Sequence, residues 1–257
     1  MFLDKERGNL FIIEPDAPKD PEGAVKLINE AAARNPALNM FVYYVPTLGL
    51  TSMAHEQDSH MPLPHVSVEN ALSGLDPKIG RGTWHHDDIE RLLSHSFKTD
   101  HHWTIEGAHV AYGDVLDMMR QVHPDIGEPI ALQPDSAFAV DTFRGMLSSV
   151  SAYDAHMDTV SDGGMDIPEH ILHVRAPSGK LMAFDSVAQT RSELVDGLRK
   201  PTKYEDLYGS FFLLTELYVW HEYPQNQTGR KLLLLADSVR KPIAEPIASH
   251  FDATDAV

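Results

Sequence analysis

Apolar and polar positions along the chain set out an α/β order from its beginning. Residues 9–13 (NLFII) read as a short opening strand. Asp20-Pro21 then starts a helix, with the aspartate as N-cap and proline at the first helical position. Ala24, Leu27, Ile28 and Ala31 recur at helical spacing, and Asn35-Pro36 ends the helix. Residues 40–45 (MFVYYV) are strand-like, and strand, helix, strand in this order predicts the start of a parallel α/β unit. Residues 48–68 show no clear period and read as a loop. A helix is expected over 86–97, capped by Thr83 or a nearby polar residue, with Ile89, Leu92 and Leu93 facing the core. An amphipathic helix follows over 104–122. Residues 170–176 and 181–185 flank Pro177-Ser178-Gly179, the pattern of a hairpin with a tight turn. Residues 204–223 are rich in aromatics and match neither period. Near the end, residues 231–236 (KLLLLA) read as a buried strand and 239–251 as the start of a helix with Ile243 and Ile247 on one face.

With 257 residues the chain can bury a sizeable core. No repeat, low-complexity segment or linker divides it. The expectation is one α/β domain over residues 1–257, with an irregular or hairpin region inserted around 125–205. A formal net charge of -17 argues against nucleic-acid binding, which needs clustered Lys and Arg to neutralise phosphates. The chain has no cysteine, which excludes disulfides, thiolate catalysis and Cys-ligated zinc. No apolar run is long enough to span a membrane. The start, MFLDKERGNLF, lacks the apolar core of a signal peptide, which predicts a cytoplasmic protein if the chain is full length.

The candidate chemistry sits in two places. Asp100 lies two residues from His102 just before the 104–122 helix, and in an extended or turn segment both side chains can point to one side. Ser238 follows the apolar strand at 231–236 and precedes a helix, where backbone N–H groups can bind an oxyanion. A serine hydroxyl needs a base, and the base needs an orienter. Ser238 as nucleophile, His102 as base and Asp100 as its orienter would supply the set. Taken one at a time, each signal has a plainer reading. Asp-Ser after a strand is more often an N-cap, Asp-x-His more often a capping arrangement, and Trp103 core.

Residues 98–112 (KTDHHWTIEGAHVAY) resemble the signature of DHHW-motif proteins and the related D-x-H-W segment of the alginate O-acetyltransferase family, in the SGNH-hydrolase-like superfamily. Residues 232–251 (LLLLADSVRKPIAEPIASHF) resemble that group's strand-then-GDS segment, and Tyr208-Gly209-Ser210-Phe211 also suits the pattern. The resemblance implies a three-layer, flavodoxin-like α/β domain with a mostly parallel central sheet and an irregular middle section. It implies a Ser238–His102–Asp100 triad, Trp103 as a supporting or ligand-facing aromatic, and no cofactor. It further implies O-acetyl transfer or ester hydrolysis on a carbohydrate or other hydroxylated substrate, a membrane-bound acyl-donor partner and an extracytoplasmic location. Gly145, Ser148 and Ser149 are candidate substrate or oxyanion contacts. The chain departs from the pattern in having Ala236 where the family has the glycine of GDS, in ending about where the pattern enters a further strand, and in lacking an export signal.

Two other classes compete. One is an SGNH-like scaffold that binds a glycan or a partner without turnover, with Tyr43, Tyr44, Trp84, Trp103 and Trp220 as stacking aromatics. The other is a metal-dependent hydrolase, since fifteen histidines are many for this length. His85-His86-Asp87-Asp88 with His95, and residues 100–102 with His109, could provide ligands. No H-x-x-x-H zinc signature with a following glutamate is present, and the H-x-D at His156 and Asp158 lacks the further residues of a zinc exopeptidase. Asp87 and Asp88 are more simply first-turn helix residues.

Overall fold

The computed structural model describes residues 2–3, 10–11, 20–46, 66–84, 88–133, 139–145, 147, 157–161, 163–175, 179, 181–184 and 218–257. Strands β1 (Phe2–Leu3) and β2 (Leu10–Phe11) pair antiparallel. Helix α1 (Pro21–Arg34) starts as expected: Asp20 Oδ1 accepts from Gly23 N at 2.7 Å. Its inward face keeps Ile28 of the predicted stripe but is otherwise shifted by one residue. Val25 is buried, with Ile28 and Ala32 packed beside it, whereas Ala24 and Leu27 are exposed. Val25, Ile28 and Ala32 satisfy the same helical period, and the residues they pack on, α2 (Val66–Leu72) together with Leu75, Ile79, Met40 and Val42, select between the two stripes.

Strand β3 (Phe41–Tyr44) lies within the predicted run, but its parallel partner is β4 (Gly80–Thr83). The opening strand at 9–13 was the expected neighbour; β2 pairs instead with β1. Helix α3 (Ile89–Ser94) is capped by Asp88, whose Oδ1 accepts from Arg91 N at 2.7 Å, and buries Leu92 and Leu93.

Helix α4 (Ile105–Arg120) is the centre of the core. Ala108, Ala111, Tyr112, Val115, Leu116 and Met119 make its buried stripe. Thr104 caps it, and Gly107 lets it approach His95 closely, because a Cβ there would stand 2.3 Å from the His95 carbonyl oxygen. Strands β5 (Ala139–Phe143) and β6 (Asp158–Ser161) form an antiparallel pair. The expected hairpin is present as β7 (Ile171–Arg175) and β8 (Leu181–Phe184), paired antiparallel.

The remaining strands are β9 (Tyr218–Glu222), β10 (Lys231–Leu234) and β11 (Ala253–Ala256), the last two separated by a 3₁₀ turn (Ser238–Arg240) and helix α5 (Lys241–Ala248). The sheet order is β10-β11-β9-β7-β8. Only β10–β11 is parallel in it, so this sheet is mixed rather than mostly parallel. β11 supplies a further strand after the helix, the element at which the chain was expected to end. β10 is not the buried strand expected, because only one of its faces is covered. Its exposure alternates along the strand: Leu232 packs on the core, while the opposite face is left open, with Leu233 60% exposed and Leu235 just beyond it 69% exposed.

Between β9 and α5, His170, His221, Tyr223 and Glu245 form a buried polar group. His221 Nδ1 lies 3.2 Å from His170 Nε2, and His170 Nε2 lies 3.7 Å from Glu245 Oε1. Burial lowers the His221 pKa from 6.5 to about 4; Glu245 pulls it up and His170 pushes it further down. The imidazole is therefore held neutral in the fold, while the unfolded chain takes up a proton below pH 6.5. Its contribution is complete above that value and is lost as the pH falls towards about 4. By pH 5 the loss is expected to reach about 2 kcal/mol. Urea unfolding of wild type and His221→Gln at several pH values checks this: the difference between them should close as the pH falls.

Candidate active site

The DHHW segment is a closed loop between α3 and α4. Ser96 and Trp103 form an isolated antiparallel bridge, with Phe97 N donating to His102 O at 3.1 Å and Thr104 N donating to His95 O at 2.9 Å. The loop's ends are thus tied to the start of a core helix. Within it, Asp100 Oδ1 accepts from the backbone N–H of His102 at 3.0 Å, the local turn that aspartate makes with the residue two ahead. The same oxygen lies 2.5 Å from His102 Nδ1. Two-residue spacing therefore does place carboxylate and imidazole on one side, through a turn rather than a strand.

The β5–β6 pair holds this loop from outside. Phe143 packs on Phe97 with ring centroids 4.9 Å apart, both side chains fully buried. Opposite Phe143 in register stands Asp158. Its Oδ1 accepts from Lys98 N at 3.1 Å, and its Oδ2 from Thr99 N at 2.8 Å and Thr99 Oγ1 at 2.6 Å. Thr99 Oγ1 in turn accepts from Gly145 N at 3.0 Å. Gly145 sits directly against Asp100: a Cβ on it would meet Asp100 Cβ at 2.2 Å and Oδ2 at 2.5 Å. The glycine proposed for substrate or oxyanion contact thus has its N–H engaged with Thr99 and its Cα behind the acid.

Ser238 comes from the other end of the chain. It follows β10, and Asp237 caps the turn by accepting from Val239 N at 3.1 Å. Of the N–H groups expected there for an oxyanion, that of Val239 is occupied by the carboxylate. Arg240 reaches back to donate from Nη1 to the Ala236 and Asp237 carbonyls, pinning the turn in which alanine replaces glycine. Ile243 and Ile247 then bury α5 against α4. Because α4 begins immediately after the DHHW loop and α5 immediately after Ser238, packing these two helices brings the two segments together. The Ser238 oxygen stands 2.7 Å from His102 Nε2, completing a hydrogen-bonded series from Asp100 through His102 to Ser238. Asp100 and His102 are buried, and Ser238 is half-buried.

Trp103 is core rather than ligand-facing. It is 3% exposed and meets Trp84 edge-to-face at 5.5 Å. Trp84 is equally buried, with its Nε1 donating to Gly107 O. Tyr43 donates from its hydroxyl to Asp114 at 2.7 Å, and His109 pairs with Ile130 O at 2.8 Å. Neither joins the site. Asp88 and His95 cap the two ends of α3. Ser148, Ser149, residues 85–87, His156 and residues 208–211 lie outside the described residues.

Asp158, Thr99 and Arg240 are the positions that sequence reasoning did not single out for this site. Asp158→Asn should show what the first of them does. The amide has one acceptor oxygen for three donors and turns an N–H₂ toward them. The expected result is a loss of about 1–3 kcal/mol of stability and a fall in turnover of at least about tenfold. Chemical unfolding and steady-state kinetics on one preparation check both.

No family profile matches the sequence, and no curated protein matches it. Solved structures share its fold. PatB1 from Bacillus cereus, in a form with a sulfonyl adduct, superposes with a TM-score of 0.68 at 15% identity over 95% of this chain and 81% of that one. A DHHW family protein from Eubacterium siraeum superposes with a TM-score of 0.60, also at 15% identity, over 92% and 75%. The fold thus agrees with the resemblance read from the DHHW segment.

Proposed function

We propose that this chain performs serine-dependent acyl transfer on a hydroxylated, carbohydrate-class substrate, on a three-layer SGNH-hydrolase-like domain spanning residues 1–257. The observation that carries the reading is the unbroken series Asp100–His102–Ser238, with contacts of 2.5 and 2.7 Å. In the first half, Ser238 Oγ bonds to the acyl carbon as His102 Nε2 takes its proton. The tetrahedral intermediate collapses when the leaving oxygen takes that proton back from the imidazolium. In the second half His102 removes a proton from an acceptor hydroxyl, which attacks the acyl-enzyme; the intermediate collapses as the imidazolium returns that proton to Ser238 Oγ, which leaves as the free hydroxyl. A sugar hydroxyl as acceptor gives an O-acyltransferase, and water gives an esterase; water exclusion decides the ratio. Asp100 keeps the proton on Nδ1 so that Nε2 faces the serine as a base, and it stabilises the imidazolium. An acyl-donor partner at a membrane belongs to the same reading.

His102→Ala removes the base, and Asp100→Asn keeps the shape while removing the charge. The first is expected to abolish ester turnover and the second to lower kcat about 10²- to 10⁴-fold, with the fold retained in both. Kinetics with an activated acetyl ester, alongside circular dichroism, test this. Turnover of His102→Ala at the wild-type rate would end the proposal.

A further inference from the structure

We propose that Asp100, His101 and His102 also form a site for a divalent cation of the zinc class, and that its occupation switches Ser238 off. A carboxylate oxygen and one ring nitrogen from each histidine lie within 4.8 Å of one another, the only such trio among the described residues. Asp100 Oδ1 is 2.5 Å from His102 Nδ1 and 3.6 Å from His101 Nδ1. The two imidazoles lie side by side, centroids 4.0 Å apart and 38° between planes, so both Nδ1 atoms address one carboxylate. Zinc binds nitrogen and carboxylate oxygen at about 2.0–2.2 Å, which puts neighbouring ligand atoms roughly 3.3 Å apart. The His101 contact is already close to that, and the His102 contact needs to open by less than about 1 Å. Two imidazoles and a carboxylate are a zinc donor set that leaves a fourth position for water. Asp100 and His102 are almost closed off, with side chains 4% and 7% exposed, whereas His101 is 29% exposed and opens the way in. The net charge of -17 favours a cation.

The consequence for the serine follows from proton bookkeeping on one ring. The working base carries its proton on Nδ1, toward Asp100, and offers a lone pair on Nε2. A metal on Nδ1 needs that lone pair, so the single proton of the neutral ring moves to Nε2. No proton is gained or lost. Nε2 then donates to the Ser238 oxygen and cannot accept from it. Metal binding and base catalysis are therefore alternatives at the same nitrogen. The site itself rests on the geometry alone; the switch rests on the acyl-transfer reading.

The test is calorimetric titration of zinc chloride into wild type, Ser238→Ala and His101→Gln. It is paired with ester turnover of wild type and His101→Gln at rising zinc, each normalised to its own zinc-free rate. The tightest zinc site is expected in wild type and is expected to persist in Ser238→Ala, which keeps all three ligands, and to be weakened on the order of tenfold or more in His101→Gln. Inhibition of wild type should track its binding curve, and His101→Gln should need correspondingly more zinc. Asp100→Asn is a second variant for binding, and circular dichroism establishes that each is folded. Equal zinc affinity in folded His101→Gln and wild type overturns the site, as does no binding to wild type. Binding without inhibition of an active enzyme overturns the switch. Binding as expected in proteins none of which turns over ester upholds the site and removes the serine chemistry instead.

Discussion

Ser238→Ala is expected to cut ester turnover by about 10⁴-fold or more while leaving unfolding behaviour close to that of wild type. The serine is half-buried, and the described hydrogen bond of its hydroxyl is the one to His102 Nε2. Removing it deletes the atom that would form the acyl-enzyme but leaves the Asp237 cap, the Arg240 contacts and the packing of α5 in place. Chemistry and stability therefore separate at this position. Neither a base nor its orienter has a purpose without the nucleophile, so Ser238→Ala and the double variant with His102→Ala should be about equally slow. Additive losses in the double variant would mean that the two residues act independently. Steady-state kinetics on the single and double variants, with melting curves, decide this.

Gly145→Ala is expected to be the most damaging change outside the triad. The new methyl would stand 2.2 Å from Asp100 Cβ and 2.5 Å from both Asp100 Oδ2 and Thr99 O. Those neighbours are not flexible side-chain ends. Thr99 is held by Asp158, Asp100 by its turn with His102, and the loop's ends by the Ser96–Trp103 bridge. Something must move, and the acid is nearest. Overpacking of this kind costs about 1–3 kcal/mol. A displacement of Asp100 by about 1 Å is expected to lower kcat about a hundredfold. KM should change much less, because Gly145 touches the acid. Kinetics on folded protein check the split; a stability loss with wild-type kcat would show that the glycine serves the fold alone.

The parts that were legible in the sequence are those governed by local rules. α4 carries its period over four turns and its cap beside it, and the aspartate two residues before a histidine makes its own turn. The apolar run into Asp237-Ser238 likewise marks the strand and the turn. What was not legible depends on partners far along the chain. Nothing near Asp158 signals that its carboxylate receives the N–H groups of residues 98 and 99, because backbone donors leave no mark in a sequence. The inward face of α1 needed the position of α2. The exposure of Leu233 needed the knowledge that only one face of β10 is covered. Asp158 itself lay in view within an H-x-D pattern whose chemistry belongs to other proteins; its neighbours in space gave it a different task.

The central claim is that Ser238 becomes acylated, and its most direct test is intact-mass measurement of wild type and Ser238→Ala after brief exposure to an activated acetyl ester, with peptide mapping of any adduct. One acetyl group on the peptide containing Ser238 in wild type, and none in Ser238→Ala, is the predicted result. An adduct of equal yield in both proteins, or turnover in wild type that leaves Ser238 unmodified under trapping conditions, would contradict it.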